Sequence, residues 1–374
     1  KANISTIVGA LYEQDDPRRD GGFTLFYMGI NIGAFFASIL CGWLGQTYGW
    51  SYGFGLAGVG MLVGLVIFLR GRDLLEGHAE PPNTEILRQP LFAGISREFC
   101  IYLGAIVGVA LIWQLVQHQK LVGDMLMGFG GLMLLVIVVY SFTQCTPVER
   151  DRMITASVLI VFSVLFWALF EQAGSSLNLF ADRSVDRSLF NTEVPASMFQ
   201  SLNSFFIFTL APLFSIAWTR MAIKGIEPST PMKFAMGIFL VGLGFLVLVF
   251  GAGQAGDDGK MAMIWLVLIY LIHTMGELCL SPVGLSMITK LSVKRVVGMM
   301  MGVWFLASAG ANYIAGLIAQ FTGGHNGDGS ALDPIAATQK VLSVYNQVGW
   351  IAVAVAVFIL LISPLLRKGM HGVH

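Results

Sequence analysis

Residues 21–69 form an unbroken run of 49 positions without Asp, Glu, Lys or Arg. A helix needs ~20 apolar residues to cross the ~30 Å hydrocarbon layer of a bilayer, so one span cannot absorb this run and two must share it. Their hinge falls in GQTYGWSYG at 45–53, where glycine and polar residues interrupt the apolar stretch. Lipid offers no hydrogen bonds to exposed backbone, so the run is predicted to form helices.

The same counting over the rest of the chain predicts eight further spans. The ten lie within 23–45, 52–69, 99–118, 125–145, 153–177, 197–219, 234–252, 262–288, 297–321 and 344–366. The fold class is all-α, a polytopic transmembrane bundle. Composition agrees, with 12% charged residues against about 25% in soluble domains. Formal net charge is zero, so no basic face points to nucleic acid. Cys41, Cys100, Cys145 and Cys279 lie in or beside apolar runs without metal-ligand spacing and read as small hydrophobes. The opening KANISTIVGALY lacks a signal-peptide layout and reads as the end of a helix.

Two carboxylates break the apolar pattern. Glu171 sits between the uncharged stretches 153–170 and 172–181, and Glu277 lies in a second apolar run. An ionisable group at mid-membrane costs ~2.5–3.5 kcal/mol on insertion scales, so it faces a bundle interior, a partner or a proton path. His273, one turn before Glu277, is placed either to tune that acid or, as is more usual for a histidine in such a run, to sit as a satisfied core residue. Gly29/Gly33, Gly60/Gly64 and Gly298/Gly302 recur at the four-residue spacing that lets helices approach closely. Pro212 and Pro282 fall inside spans, where each removes a backbone hydrogen bond and loosens its helix. Gly53, Gly55 and Gly58 spell a G-x-G-x-x-G, but inside an apolar span with no strand before it, which fits helix packing better than a dinucleotide site.

Basic residues set the orientation. With the first loop inside, sixteen of them fall in cytoplasmic segments and five, Lys120, Arg183, Arg187, Lys260 and Lys340, fall outside. That asymmetry is the one expected of a cell (inner) membrane protein whose C-terminus is cytoplasmic.

The segment from KANISTIVGALYEQDDPRRD through GLAGVGM, with FWALFEQAGSS at 166–176, FQSLNSFFI at 199–207 and GELCLSPVGLSMITKL at 276–291, resembles the proton-dependent oligopeptide transporter family of the major facilitator superfamily. The likeness runs the length of the chain in order. It implies that residues 1–70 are the end of helix four with helices five and six, that 71–150 are a cytoplasmic linker and the inserted hairpin of bacterial members, and that 151–374 are helices seven to twelve. About the first three and a half helices of the fold lie outside this sequence.

The resemblance also implies a function and its residues: proton-coupled symport of di- and tripeptides by alternating access, with no enzymatic chemistry and no cofactor beyond protons. Glu171 takes the place of the proton-coupling carboxylate. Glu277 takes that of the acid receiving the peptide ammonium, with Asn203 hydrogen-bonding alongside. Lys1 matches a cation that attracts the peptide carboxylate, and Asn31 an amide that binds peptide backbone. Trp304 and Ser308 fit a pocket wall, DDPRRD at 15–20 an inner gate, and Asp182 with Arg183 an outer gate. The expected partners are peptide, protons and membrane lipid, with the protein acting as a monomer. Two alternatives stand beside this reading: a transporter of the same fold for nitrate, an amino acid or a drug, and a membrane protein that, lacking its first helices, does not transport.

Overall fold

The computed structural model describes residues 4, 7–8, 10–12, 19–78, 80–81, 83–92, 94–256, 259–323 and 333–373, with side chains left out at 19–21, 23–24, 92, 282–283, 285 and 334. Among the described residues, ten helices are long and apolar enough to cross a membrane. In chain order the helices are α1 (Arg19–Tyr48), α2 (Trp50–Arg70), the short α3 (Thr84–Arg88), α4 (Arg97–Gln117), α5 (Gln119–Gln144), α6 (Pro147–Phe170), α7 (Ser176–Ser184), α8 (Ser201–Ile223), α9 (Thr230–Ala252), α10 (Met263–Leu291), α11 (Val297–Phe321) and α12 (Pro334–Gly369). All ten predicted spans fall on these helices, and the shared run 21–69 divides at Gly49, whose φ of +114° suits glycine.

The chain forms two compact units, one of residues 1–30 and 55–126, the other of 31–54 and 127–374. In the first, α2 and α4 expose nearly every side chain. Its linker is ordered locally: Asn83 accepts from the backbone N–H of Glu85 and Ile86 to cap α3, Ser96 caps α4, and Arg72 pairs with Glu80. Such caps satisfy donors that a helix start leaves over.

The second unit holds the core. α9 packs most extensively against α12 and α10, α6 against α11, and α8 against α10. Phe166, Phe234, Ile238, Phe245, Leu248 and Tyr345 are fully buried there. α6 begins with a capping box, in which Thr146 Oγ1 accepts from Glu149 N and Glu149 Oε2 accepts from Thr146 N, with Pro147 in the first turn. Asp333 caps α12 with its side chain alone, accepting from the backbone N–H of Ile335 and Ala336.

One sequence expectation about helix packing needs correction. The paired glycines Gly29/Gly33, Gly60/Gly64 and Gly298/Gly302 face open space: a Cβ at any of the six meets no described atom within 4 Å. Close approach happens elsewhere. A Cβ at Gly237 would lie 3.0 Å from Gly276 O, one at Gly276 would lie 2.9 Å from Gly237 O, and one at Gly242 would lie 2.8 Å from Gly349 O. Spacing alone does not say which face of a helix meets a neighbour. Each proline inside a span withholds one backbone hydrogen bond without ending its helix. α8 and α10 run helical through Pro212 and Pro282, and the interruption comes instead after Phe170, where residues Glu171–Gly174 form a 3-10 turn.

Candidate functional site

The break that carries Glu171 is built by its neighbour. Gln172 is fully buried, and a buried amide must be satisfied. Its Nε2 donates to Ala168 O at 2.9 Å and to Ala315 O on α11 at 3.1 Å, while its Oε1 accepts from Ser176 Oγ at 2.6 Å. Tyr345 on α12 donates to Ser176 Oγ at 2.9 Å. The chain Tyr345–Ser176–Gln172–Ala315 thus ties the broken helix α6/α7 to α11 and α12. Ser175, with φ −130° and ψ −99°, makes the bend. Sequence reasoning passed over Gln172, although an uncharged amide inside an apolar run is itself a signal that hydrogen bonds must be made there.

The consequence is the placing of Glu171. It is half-buried and lines a cavity of about 170 Å³ together with Gly174, Gln200, Asn203, Tyr270 and His273. A complete ligand site usually needs about 300–1,000 Å³, so this cavity has the size of a polar subsite. His273 Nε2 lies 3.0 Å from Val241 O. A carbonyl only accepts, so Nε2 carries the hydrogen and the ring is held as a satisfied core group. Phe245 packs edge-on against it with centroids 4.9 Å apart.

Asn203 on α8 joins this cavity to the second acid. Its Nδ2 donates to Glu277 Oε2 at 2.9 Å and to Thr274 Oγ1 at 3.1 Å, and Thr274 Oγ1 in turn donates to Tyr270 O at 2.7 Å. A hydrogen bond to a carboxylate is about twice as strong as a neutral one, which orients Glu277. Glu277 is half-buried. Chemically, the assembly offers one carboxylate at a cavity wall able to bind a proton, and a second, fixed by an amide, able to hold a cation.

The remaining predicted residues are placed as follows. Asn31 is buried in α1. Trp304 is buried on α11, its indole so close to Gly284 that a Cβ there would lie 2.5 Å from Trp304 Cη2. Ser308 Oγ donates to Trp304 O at 3.2 Å, within the same helix. Lys1 and residues 15–18 of DDPRRD lie outside the described residues. Asp182 pairs with Arg187, Nη2 to Oδ1 at 3.0 Å, while Arg183 is exposed. Arg187 is buried and also binds Glu193 Oε1 and Val194 O, each at 2.7 Å, so this cluster fastens its own loop. Arg187 was counted in the sequence only as an outer charge. At the neighbouring end of α8, Ser197 Oγ donates to Gln46 Oε1 at 3.1 Å, and a Cβ at Gly42 would lie 2.5 Å from Ser197 Oγ. Nothing in the pattern around Gln46 or Gly42 marked that contact.

Among the described residues, ten apolar helices, one of them broken at a half-buried carboxylate that lines a polar cavity, define a multi-pass membrane transport protein. Residues 1–339 match the POT family, and the chain belongs to it. It is similar to the peptide transporter YePEPT of Yersinia enterocolitica, with 38% identity over 98% of this chain and 72% of that one. Dipeptide and tripeptide permease A of Cronobacter turicensis is 34% identical over 98% of this chain and 71% of its own length. Among solved structures, a peptide transporter POT in complex with sulfate aligns with a TM-score of 0.80 at 34% identity, covering 99% of this chain and 73% of the other.

Proposed function

We propose that this protein carries di- and tripeptides across the cell membrane in symport with protons, by alternating access. The observation that carries the reading is the pairing of two acids in one hydrogen-bonded neighbourhood: Glu171 on the cavity wall, and Glu277 held by Asn203, which lines the same cavity. Every short peptide presents one ammonium and one carboxylate, whatever its side chains. Glu277 receives the ammonium and Lys1 attracts the carboxylate, while Asn31, Trp304 and Ser308 contribute to the peptide site. Glu171 takes up a proton on one side and releases it on the other, which shifts the balance between two orientations of the bundle. Such a shift requires that the proton bind the two orientations with different affinity. The broken α6/α7 supports this reading, since interrupted helices near mid-membrane are a recurrent mark of transporter sites.

Protons are the coupling ion and no other cofactor takes part. The protein works as a monomer in the inner membrane with its C-terminus in the cytoplasm, an orientation supported by the sixteen-to-five split of basic residues. Its organisation is an N-terminal remainder at 1–70, a linker and hairpin at 71–150, and a C-terminal six-helix bundle at 151–374. Asp182 and Arg183 stand at the outer gate, where Asp182 pairs with Arg187 of its own loop.

The test is uptake of radiolabelled dialanine into proteoliposomes holding the full-length protein, under an inward proton gradient. Dialanine and trialanine are expected to compete, whereas free alanine, nitrate and a cationic drug are not. Absence of saturable dialanine uptake, or its inhibition by free alanine, nitrate or the drug as strongly as by trialanine, would replace the peptide reading with that of another solute.

A further inference from the structure

Where the start of α9 meets the end of α12, a groove of about 500 Å³ opens between Ser229, Met232, Ser363, Arg367 and Lys368, with Gly372 at its lip. Arg367 and Lys368 stand side by side in it, while other charges at that end are paired. Arg150 is paired with Asp151, Lys233 with Glu227, and His371 with Asp151. Arg367 and Lys368 are exposed and, among the described residues, neither has an ion-pair partner. Two neighbouring cations left unbalanced in one concave surface are a place for an anion.

The groove is also built to keep its shape. Arg152 donates to Met370 O at 3.3 Å and to His371 O at 3.1 Å, which pins the turn that ends at the lip, and Gly372 adopts a φ of +80° there. Ser363 is buried, and its Oγ stands 3.4 Å from Ser229 Oγ. Ser229 occupies the N-cap of α9 without a side-chain capping bond, so its hydroxyl is turned to the groove side, and the partial positive charge of a 23-residue helix ends at the same spot.

The surface leading away from the cations decides between kinds of anion. Leu361 and Leu365 precede Lys368 by seven and three residues, so they share a face of α12, and they are 74% and 70% exposed. From Leu361 to Lys368 the helix rises about 10 Å. Cations at the end of a span with bare leucines running toward the bilayer centre match a molecule that is anionic at one end and apolar along its length. We infer that the groove binds the phosphate of an anionic phospholipid, with an acyl chain lying along Leu361 and Leu365. Inorganic phosphate shares the headgroup chemistry but has nothing to set against the leucines. The orientation proposed above puts this lipid in the cytoplasmic leaflet; the site itself does not depend on what the protein transports.

Native mass spectrometry of the purified protein titrated with phosphatidylglycerol or phosphatidylcholine tests it. The expected result is a phosphatidylglycerol adduct on the unaltered protein that weakens about 30-fold in Arg367→Gln/Lys368→Gln, the factor that two interfacial cations are worth. Lys224→Gln, at an exposed lysine outside the groove, is expected to leave the adduct unchanged. Leu361→Asn/Leu365→Asn should weaken it as well, and millimolar inorganic phosphate should not displace it. Equal binding by the charge-deleted variant, equal binding of phosphatidylcholine, or displacement by inorganic phosphate would each overturn the proposal.

Discussion

Helices α4 and α9 are both strongly apolar and of near-equal length, yet none of the α4 window is buried while 56% of the α9 window is. Residue by residue, what differs is the small side chains and their surroundings. In α9, Gly237, Gly242, Gly244 and Gly251 each sit where a Cβ would come within 3.0 Å of a neighbour. In α4, Gly104 and Gly108 meet no described atom within 4 Å. Lipid is as apolar as leucine, so hydropathy cannot tell a helix that faces lipid from one that faces protein; close packing and buried polar contacts make that distinction.

The comparison can be broken first at its aromatic centre. Phe245 is fully buried between His273 and Tyr345, each ring centroid 4.9 Å away. Phe245→Ala is expected to cost ~2–3 kcal/mol, because the cavity term survives in a lipid-solvated protein even where the transfer term fades. Leu111→Ala on α4, at a side chain 60% exposed, should stay within about 0.5 kcal/mol. Thermal unfolding of both variants in detergent checks the contrast.

A single methyl group gives a smaller and sharper test. Gly242→Ala would push Cβ to 2.8 Å from both Ala352 Cβ and Gly349 O. The expected cost is ~1–3 kcal/mol, from overpacking. Gly108→Ala has room, and should stabilise by up to ~1 kcal/mol through helix propensity. Equal melting temperatures for the two variants would mean that α9 is not clamped as described.

The smallest effect belongs to the linker. Arg72 hydrogen-bonds Glu80 and holds its carboxyl below the ordinary glutamate value. The folded value being the lower one, this pair favours the ordered linker above the unfolded carboxylate range, and that help is lost as pH falls through the folded value. Both side chains are solvent-facing, so no measurable change in unfolding is expected. An NMR titration of Glu80 in the unaltered protein and in Arg72→Gln should show its midpoint move up in the variant.

How far the sequence could be read follows the same physical line. Every span was legible, since charge-free length is a direct consequence of bilayer thickness. Glu171 and Glu277 announced themselves because a carboxylate in an apolar run is costly. The resemblance supplied Asn203, and the structure places its amide 2.9 Å from Glu277. What stayed hidden depends on which helix faces meet. The glycine pairs at four-residue spacing point to open space, and the helix breaks at Glu171 through Gln172 and Ser176, with no proline involved. Arg187 could not be told from any other outer charge until Asp182 and Glu193 were seen around it.

The central claim is that Glu171 binds and releases the proton that drives transport. Uptake of dialanine by Glu171→Gln in proteoliposomes tests it most directly, once with an inward proton gradient and once as exchange against dialanine loaded inside. The account predicts that gradient-driven accumulation is abolished while exchange continues at a measurable rate. Accumulation against a gradient by the glutamine variant would contradict it.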